Sequence, residues 1–145
     1  IFWNTLWTNH CPPHTLGILC DPKHPAFREF PTTYHSDYQW QDAMSLSDAI
    51  RYDKISKDIR PIVRIIDDWF TARPLAMVFE VKVGKGSMVV SGADLMNGLD
   101  KRTSARQLRK SLIDYMSSTD FKPAVSVEID TLQQLFLNVS PPTNR

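Results

Sequence analysis

The spacing Cys11-x2-His14-x5-Cys20-x3-His24 near the start of this 145-residue chain sets out four side chains of types that bind a metal. Zinc takes thiolate and imidazole ligands in a tetrahedron, and a Cys2His2 set supplies them. The spacing is unlike a knuckle paired with a helix, because Pro12 and Pro13 interrupt the first pair. Cys20 also closes an apolar run, so a small core thiol with two loop histidines is the competing reading. A second chemistry is open to the same residues. Cys20 could act as the nucleophile of a hydrolase or amidotransferase-like enzyme with His24 or His35 as its base, since covalent catalysis needs a thiol beside a proton acceptor. A nucleophile elbow is strained and requires glycines, and Leu19-Cys20-Asp21-Pro22 has none.

The carboxylates offer less. Asp67 and Asp68 are adjacent, and neighbours on an extended chain point to opposite faces. They therefore read as caps of the turn into Trp69-Phe70, with Glu80 on the polar face of its strand. Gly84-Lys85-Gly86 lacks the length and the Ser/Thr of a phosphate loop, and it precedes a strand. Arg102, Arg106, Arg109 and Lys110 make one basic helix face of the kind that is ordinarily solvated. Aromatic residues crowd the first forty positions. Trp3, Trp7, Tyr38 and Trp40, with Tyr34 among them, could lay flat apolar faces against a sugar. Core packing and docking on a neighbouring domain are the plainer uses of the same side chains.

The elements that would position these groups follow from apolar periodicity. Thr15 to Cys20 reads as a buried strand that Asp21-Pro22 ends, and Pro61 to Ile66 as a second strand. Leu75, Met77, Phe79, Val81 and Val83 alternate, which predicts a strand with these five on one face. A tight turn and a strand from Ser87 to Gly92 complete a hairpin. A short helix is expected between Tyr38 and Ser45. The clearest helix opens at Ser104, where Gln107 stands at capping-box spacing. Its apolar stripe is Ala105, Leu108, Leu112, Tyr115 and Met116. A last short strand is expected through Val125, Val127 and Ile129. This order predicts the α/β class, a mixed β-sheet flanked by a few helices, in one domain over residues 1–135 with a tail at 136–145.

Composition narrows the function classes. Hydrophobic residues make up 42% and charged residues 23%, which suits a packed globular chain rather than a disordered one. The net charge of +1 gives no basic excess for a nucleic-acid partner. No apolar run reaches the roughly 20 residues of a membrane span. Nothing in the sequence specifies a cofactor. The chain begins at Ile1 inside an apolar aromatic segment without Met, which reads as a piece of a longer protein.

Several stretches, in order, resemble one known family. They include Phe2-Trp3-Asn4-Thr5-Leu6-Trp7-Thr8, Gly17-Ile18-Leu19-Cys20-Asp21-Pro22 and His24-Pro25-Ala26-Phe27. Tyr38-Gln39-Trp40-Gln41, Ile66-Asp67-Asp68-Trp69-Phe70 and Phe79-Glu80-Val81-Lys82-Val83-Gly84-Lys85-Gly86 continue the likeness. Over about residues 1 to 120 the chain resembles a domain near the C-terminus of large bacterial glycoside hydrolase family 2-type, β-galactosidase-like proteins. That resemblance implies a partial class I glutamine-amidotransferase-like (flavodoxin-like) fold without the amidotransferase cysteine site. It implies a non-catalytic accessory role, with the other domains of the parent glycosidase as partners, carbohydrate as a weaker contact, and a periplasmic or secreted parent. No catalytic residue of that family falls on this sequence.

Overall fold

The computed structural model describes residues 17–68 and 71–137. Strands β1 (Gly17–Cys20), β2 (Ile50–Arg51), β3 (Val63–Ile66), β4 (Leu75–Val83), β5 (Gly86–Ser91) and β6 (Ser126–Val127) form one six-stranded sheet. Helices α1 (Trp40–Ser45), α2 (Thr103–Met116) and α3 (Ile129–Leu137) accompany it, with 3-10 turns at Pro25–Phe27 and Tyr52–Lys54. The fold is of the α/β class. All pairs are antiparallel except β4 with β6. The largely antiparallel pairing differs from the parallel sheet of a flavodoxin-like domain.

β4 organises the sheet. Val78 pairs with Val63 of β3 on one edge and Ser91 of β5 on the other. β2 and β5 share the second edge, and β6 continues the first beyond β3. The hairpin between β4 and β5 closes with Gly84 at φ +56°, a left-handed value that a residue with a Cβ resists.

The expected alternation along β4 is corrected by a bulge. Val63 faces Val78 and Arg64 faces Ala76, so Met77 is the extra residue. Leu75, Met77 and Val78 all pack in the cluster beneath α1 and α2. Phe79 and Val81 pack with Ala76, Ile59 and Leu132 in the cluster on the other face, where Val83 and Leu135 join them. The five apolar residues are therefore divided between two faces. Both faces can be apolar because α2 with the turn at Pro25–Phe27 covers one and α3 the other.

The capping box expected at Ser104 does not form. Arg102 occupies the cap position of α2 without a side-chain cap bond. Asp42 of α1 caps the helix instead. Its Oδ2 accepts from Ala105 N–H at 3.3 Å, while Oδ1 accepts from Arg102 Nε at 2.8 Å. Gln107 donates to Glu29 O at 2.5 Å. The buried stripe of α2 is Ala105, Leu108, Ser111, Leu112 and Tyr115, with Met116 outside it. Ser111 belongs there because its hydroxyl donates to Ala26 O at 2.7 Å and accepts from Glu29 N–H at 3.1 Å. After Val127, α3 takes the place of the strand continuation that the alternation suggests.

Candidate functional site

Of the residues with candidate chemistry, Trp3, Trp7, Cys11 and His14 lie outside the described residues. Cys20 ends β1 and is buried. Its Sγ–H donates to Thr33 O at 3.2 Å, and burial pushes the thiol from 9.0 to about 11, against an opposing pull from Thr32. A nucleophilic thiolate needs the opposite shift. His24 does not stand ready as its base. Nδ1 accepts from Ala26 N–H at 3.2 Å, and the ring packs edge-on against Phe27 and Tyr115 at 6.3 and 5.3 Å. Burial holds the imidazole below its ordinary value, although Glu80 and Asp21 pull upward. Both side chains serve the packing between β1, the Pro25–Phe27 turn and α2 rather than facing each other as a nucleophile and base. His35 sits beyond β1, where Leu19 bridges to it. Among the described residues no three His, Cys, Asp or Glu side chains converge as metal ligands.

Trp40 requires a second correction. It is 0% exposed, with ring centroids 5.9 Å from Phe27 and 5.0 Å from Phe30. Its Nε1–H donates to Thr32 Oγ1 at 2.7 Å. A sugar cannot reach either ring face, so Trp40 is a core residue of the α1 layer. Tyr38, two positions earlier, is 89% exposed and keeps a face for contact.

The acidic residues are structural in distinct ways. Asp67 accepts from Arg73 Nε at 2.7 Å, Nη2 at 2.9 Å and N–H at 2.8 Å, and this holds its carboxyl well below the usual range. Asp68 accepts from the N–H of Thr71 at 3.0 Å and also from its hydroxyl. The pair caps the turn before β4, as their adjacency suggests. That turn places Ala72 at φ +46°. Glu80, set on the α2 side by the bulge, accepts from Tyr115 Oη at 2.7 Å. Burial, then this carboxylate, pushes the Tyr115 phenol upward.

The basic face of α2 is not uniformly solvated. Arg102 is only 12% exposed and donates Nη1 to Asp94 O at 2.8 Å and Asn97 O at 3.0 Å, besides its bond to Asp42. It clamps α1, the loop after β5 and the start of α2 together, leaving one nitrogen, Nη2, buried without a hydrogen bond.

A cleft of about 690 Å³ lies where β2, the end of β5 and α3 meet. Ile50, Val90 and Leu135 give it an apolar wall, and Arg51, Ser91 and Thr131 bring polar groups to it. Arg51 is tied to Asp53 at 2.6 Å. Hydroxyls beside a flat apolar wall suit a ligand with both hydroxyl and hydrocarbon surface. The sequence hides this cleft, because the alternation through Val125, Val127 and Ile129 masks α3. Leu132 and Leu135, three apart, are the signal that could reveal it.

These features define a mixed α/β domain in which Cys20, His24, Asp67 and Asp68 serve packing and turn formation, with an open cleft beside α3. Among the described residues no helix is long and apolar enough to cross a membrane. A family model described as a domain of unknown function (DUF8487) matches residues 1–137, and the chain belongs to that family. No curated protein matches the chain.

Proposed function

We propose that this chain is a non-catalytic accessory domain of a larger bacterial glycosidase. Its main role is packing against neighbouring domains or subunits, with weak carbohydrate contact second. One observation carries the non-catalytic half: the described thiol, imidazole and carboxylate that could begin chemistry are engaged elsewhere. Cys20 is buried and protonated, His24 is held between Phe27 and Tyr115, and Asp67 is locked to Arg73. The glycosidase half is supported by the ordered likeness over about residues 1 to 120, from Phe2-Trp3-Asn4 through Lys82-Val83-Gly84-Lys85-Gly86. The cleft beside α3 supports a contact role, because its wall combines hydroxyls with apolar surface.

The experiment uses the full-length parent. Deleting residues 1–137 should leave turnover of a small aryl glycoside within about threefold, under 1 kcal/mol of barrier, while lowering the thermal midpoint or dissociating the oligomer. Loss of turnover from a remainder that is still folded would sink the proposal. The rival reading, a Cys20 hydrolase, requires fast alkylation of the native thiol at pH 7. The buried thiol should instead react at least tenfold more slowly than it does in urea, roughly 1.4 kcal/mol of protection.

A further inference from the structure

At the β1 end of the sheet, the face that α3 covers elsewhere carries charge. Leu19 and Arg64 are cross-strand partners there, and both are exposed, Leu19 to 44%. The same row continues inward to Ala76 and Ile50, which belong to the packed cluster. Around the exposed end, Tyr34, Tyr52 and Arg60 join Leu19 and Arg64 to line a groove of about 500 Å³. That size falls within the roughly 300–1,000 Å³ of small-molecule sites.

Two arginines without an ion-pair partner share this groove. Arg28, Arg51, Arg73 and Arg102 each hold an aspartate. Arg60, Arg64, Arg106 and Arg109 form no ion pair with a described residue, and of these Arg60 and Arg64 line the groove. Arg60 Nη1 makes only two long bonds, to Lys57 O and Ile59 O, both at 3.4 Å. The Arg64 side chain has no hydrogen bond to a described residue. Two guanidiniums therefore border one groove with unused donors, beside tyrosine rings of which Tyr34 is 59% exposed. Among the described residues Asp21 is the one carboxylate on the lining, and it accepts from Lys23 N–H at 2.9 Å.

We propose that this groove binds a carboxylate-bearing sugar, a hexuronate residue within an oligosaccharide. A guanidinium fork matches a carboxylate with two parallel bonds, and an aromatic ring covers the apolar face of a pyranose. Asp21 beside the arginines disfavours a dianion such as phosphate more than a monoanionic carboxylate. The sugar half of this assignment rests on the carbohydrate reading above, whereas the anion half rests on the arginines alone.

The experiment is amide shift mapping of the 145-residue chain with three probes: trigalacturonate, neutral galactotriose and inorganic phosphate. Trigalacturonate should shift Leu19, Tyr34 and Arg64 at millimolar concentration, with galactotriose silent there and phosphate at least fivefold weaker. Arg64→Gln, at an exposed position, should weaken the uronate response about tenfold, as should Arg60→Gln. Arg106→Gln on α2 should leave it unchanged. Silence with trigalacturonate, a response unaffected by both groove variants, or shifts confined to the cleft beside α3 would overturn the assignment. Phosphate matching trigalacturonate would also overturn it, by reducing the groove to an anion site. None of these results depends on the parent's turnover, so this proposal and the accessory role fail separately.

Discussion

Gly92 offers the sharpest test of the packing around the clefts. It lies just beyond β5, where its carbonyl accepts from Asp48 N–H at 2.8 Å and its N–H donates to Met77 O at 2.8 Å. A Cβ built there would stand 2.1 Å from Asp48 O and 3.2 Å from its carbonyl carbon. Both are backbone atoms, so no side-chain rotation relieves the clash. Gly92→Ala must push the chain at Asp48 away from β5, which breaks the Asp48–Gly92 bond. That bond contributes about 0.5–1.5 kcal/mol, and overpacking at such a site costs about 1–3 kcal/mol. Together they give a loss of about 1.5–4.5 kcal/mol. Urea unfolding reads this as a lower midpoint with an unchanged slope. Gly86→Ala is the control, because its Cβ would meet Val83 O at an ordinary 3.7 Å. A Gly92→Ala protein within about 0.5 kcal/mol of the parent chain would refute the reasoning, since that is the scatter of surface substitutions.

Three further outcomes are expected. Ala72→Gly should stabilise the fold by about 0.5–1 kcal/mol in urea, because the φ of +46° strains a residue with a Cβ more than glycine's added unfolded-state entropy costs. Arg102→Gln should cost about 2–4 kcal/mol, since it removes the bond to Asp42 and leaves the carbonyls of Asp94 and Asn97 without their donor. For Cys20, the folded thiol titrates above the unfolded one, so its contribution is complete below pH 9.0 and is lost as pH rises toward about 11. Unfolding midpoints across that window should fall less steeply in Cys20→Ala than in the parent chain. Tyr115, also pushed upward, adds a loss in the same direction at higher pH in both proteins.

Much of the framework is legible in short-range pattern. Leu75 to Val83, the glycine turn and the α2 stripe are dictated by neighbours in sequence, and each forms at nearly the expected place. What escapes such pattern depends on distant partners. The bulge at Met77 is set by Arg64 pairing with Ala76, which no local period encodes. The cap of α2 comes from Asp42, 63 residues away from Ala105. Trp40 looks like a contact aromatic in the sequence because the cage formed by Phe27, Phe30 and Thr32 is invisible until the chain folds. The groove arginines are indistinguishable in sequence from the chain's other arginines. Pairing with aspartates separates Arg28, Arg51, Arg73 and Arg102 from Arg60 and Arg64, and the shared groove separates these two from the unpaired Arg106 and Arg109 of α2.

β4 has strand neighbours along both edges, and its residues from Ala76 to Phe79, with Val81, are fully enclosed. Its backbone amides can meet solvent only when the sheet comes apart as a whole. Among the described residues β5 pairs with β4 alone, and it exposes Ser87 and Met88, so its outward amides can meet solvent by local opening. In deuterated solvent, β4 should keep its protons longest and report the global stability of the domain. The outward amides of β5 should exchange orders of magnitude sooner, which makes β4 the clock of whole-domain unfolding and the hairpin rim the clock of local breathing.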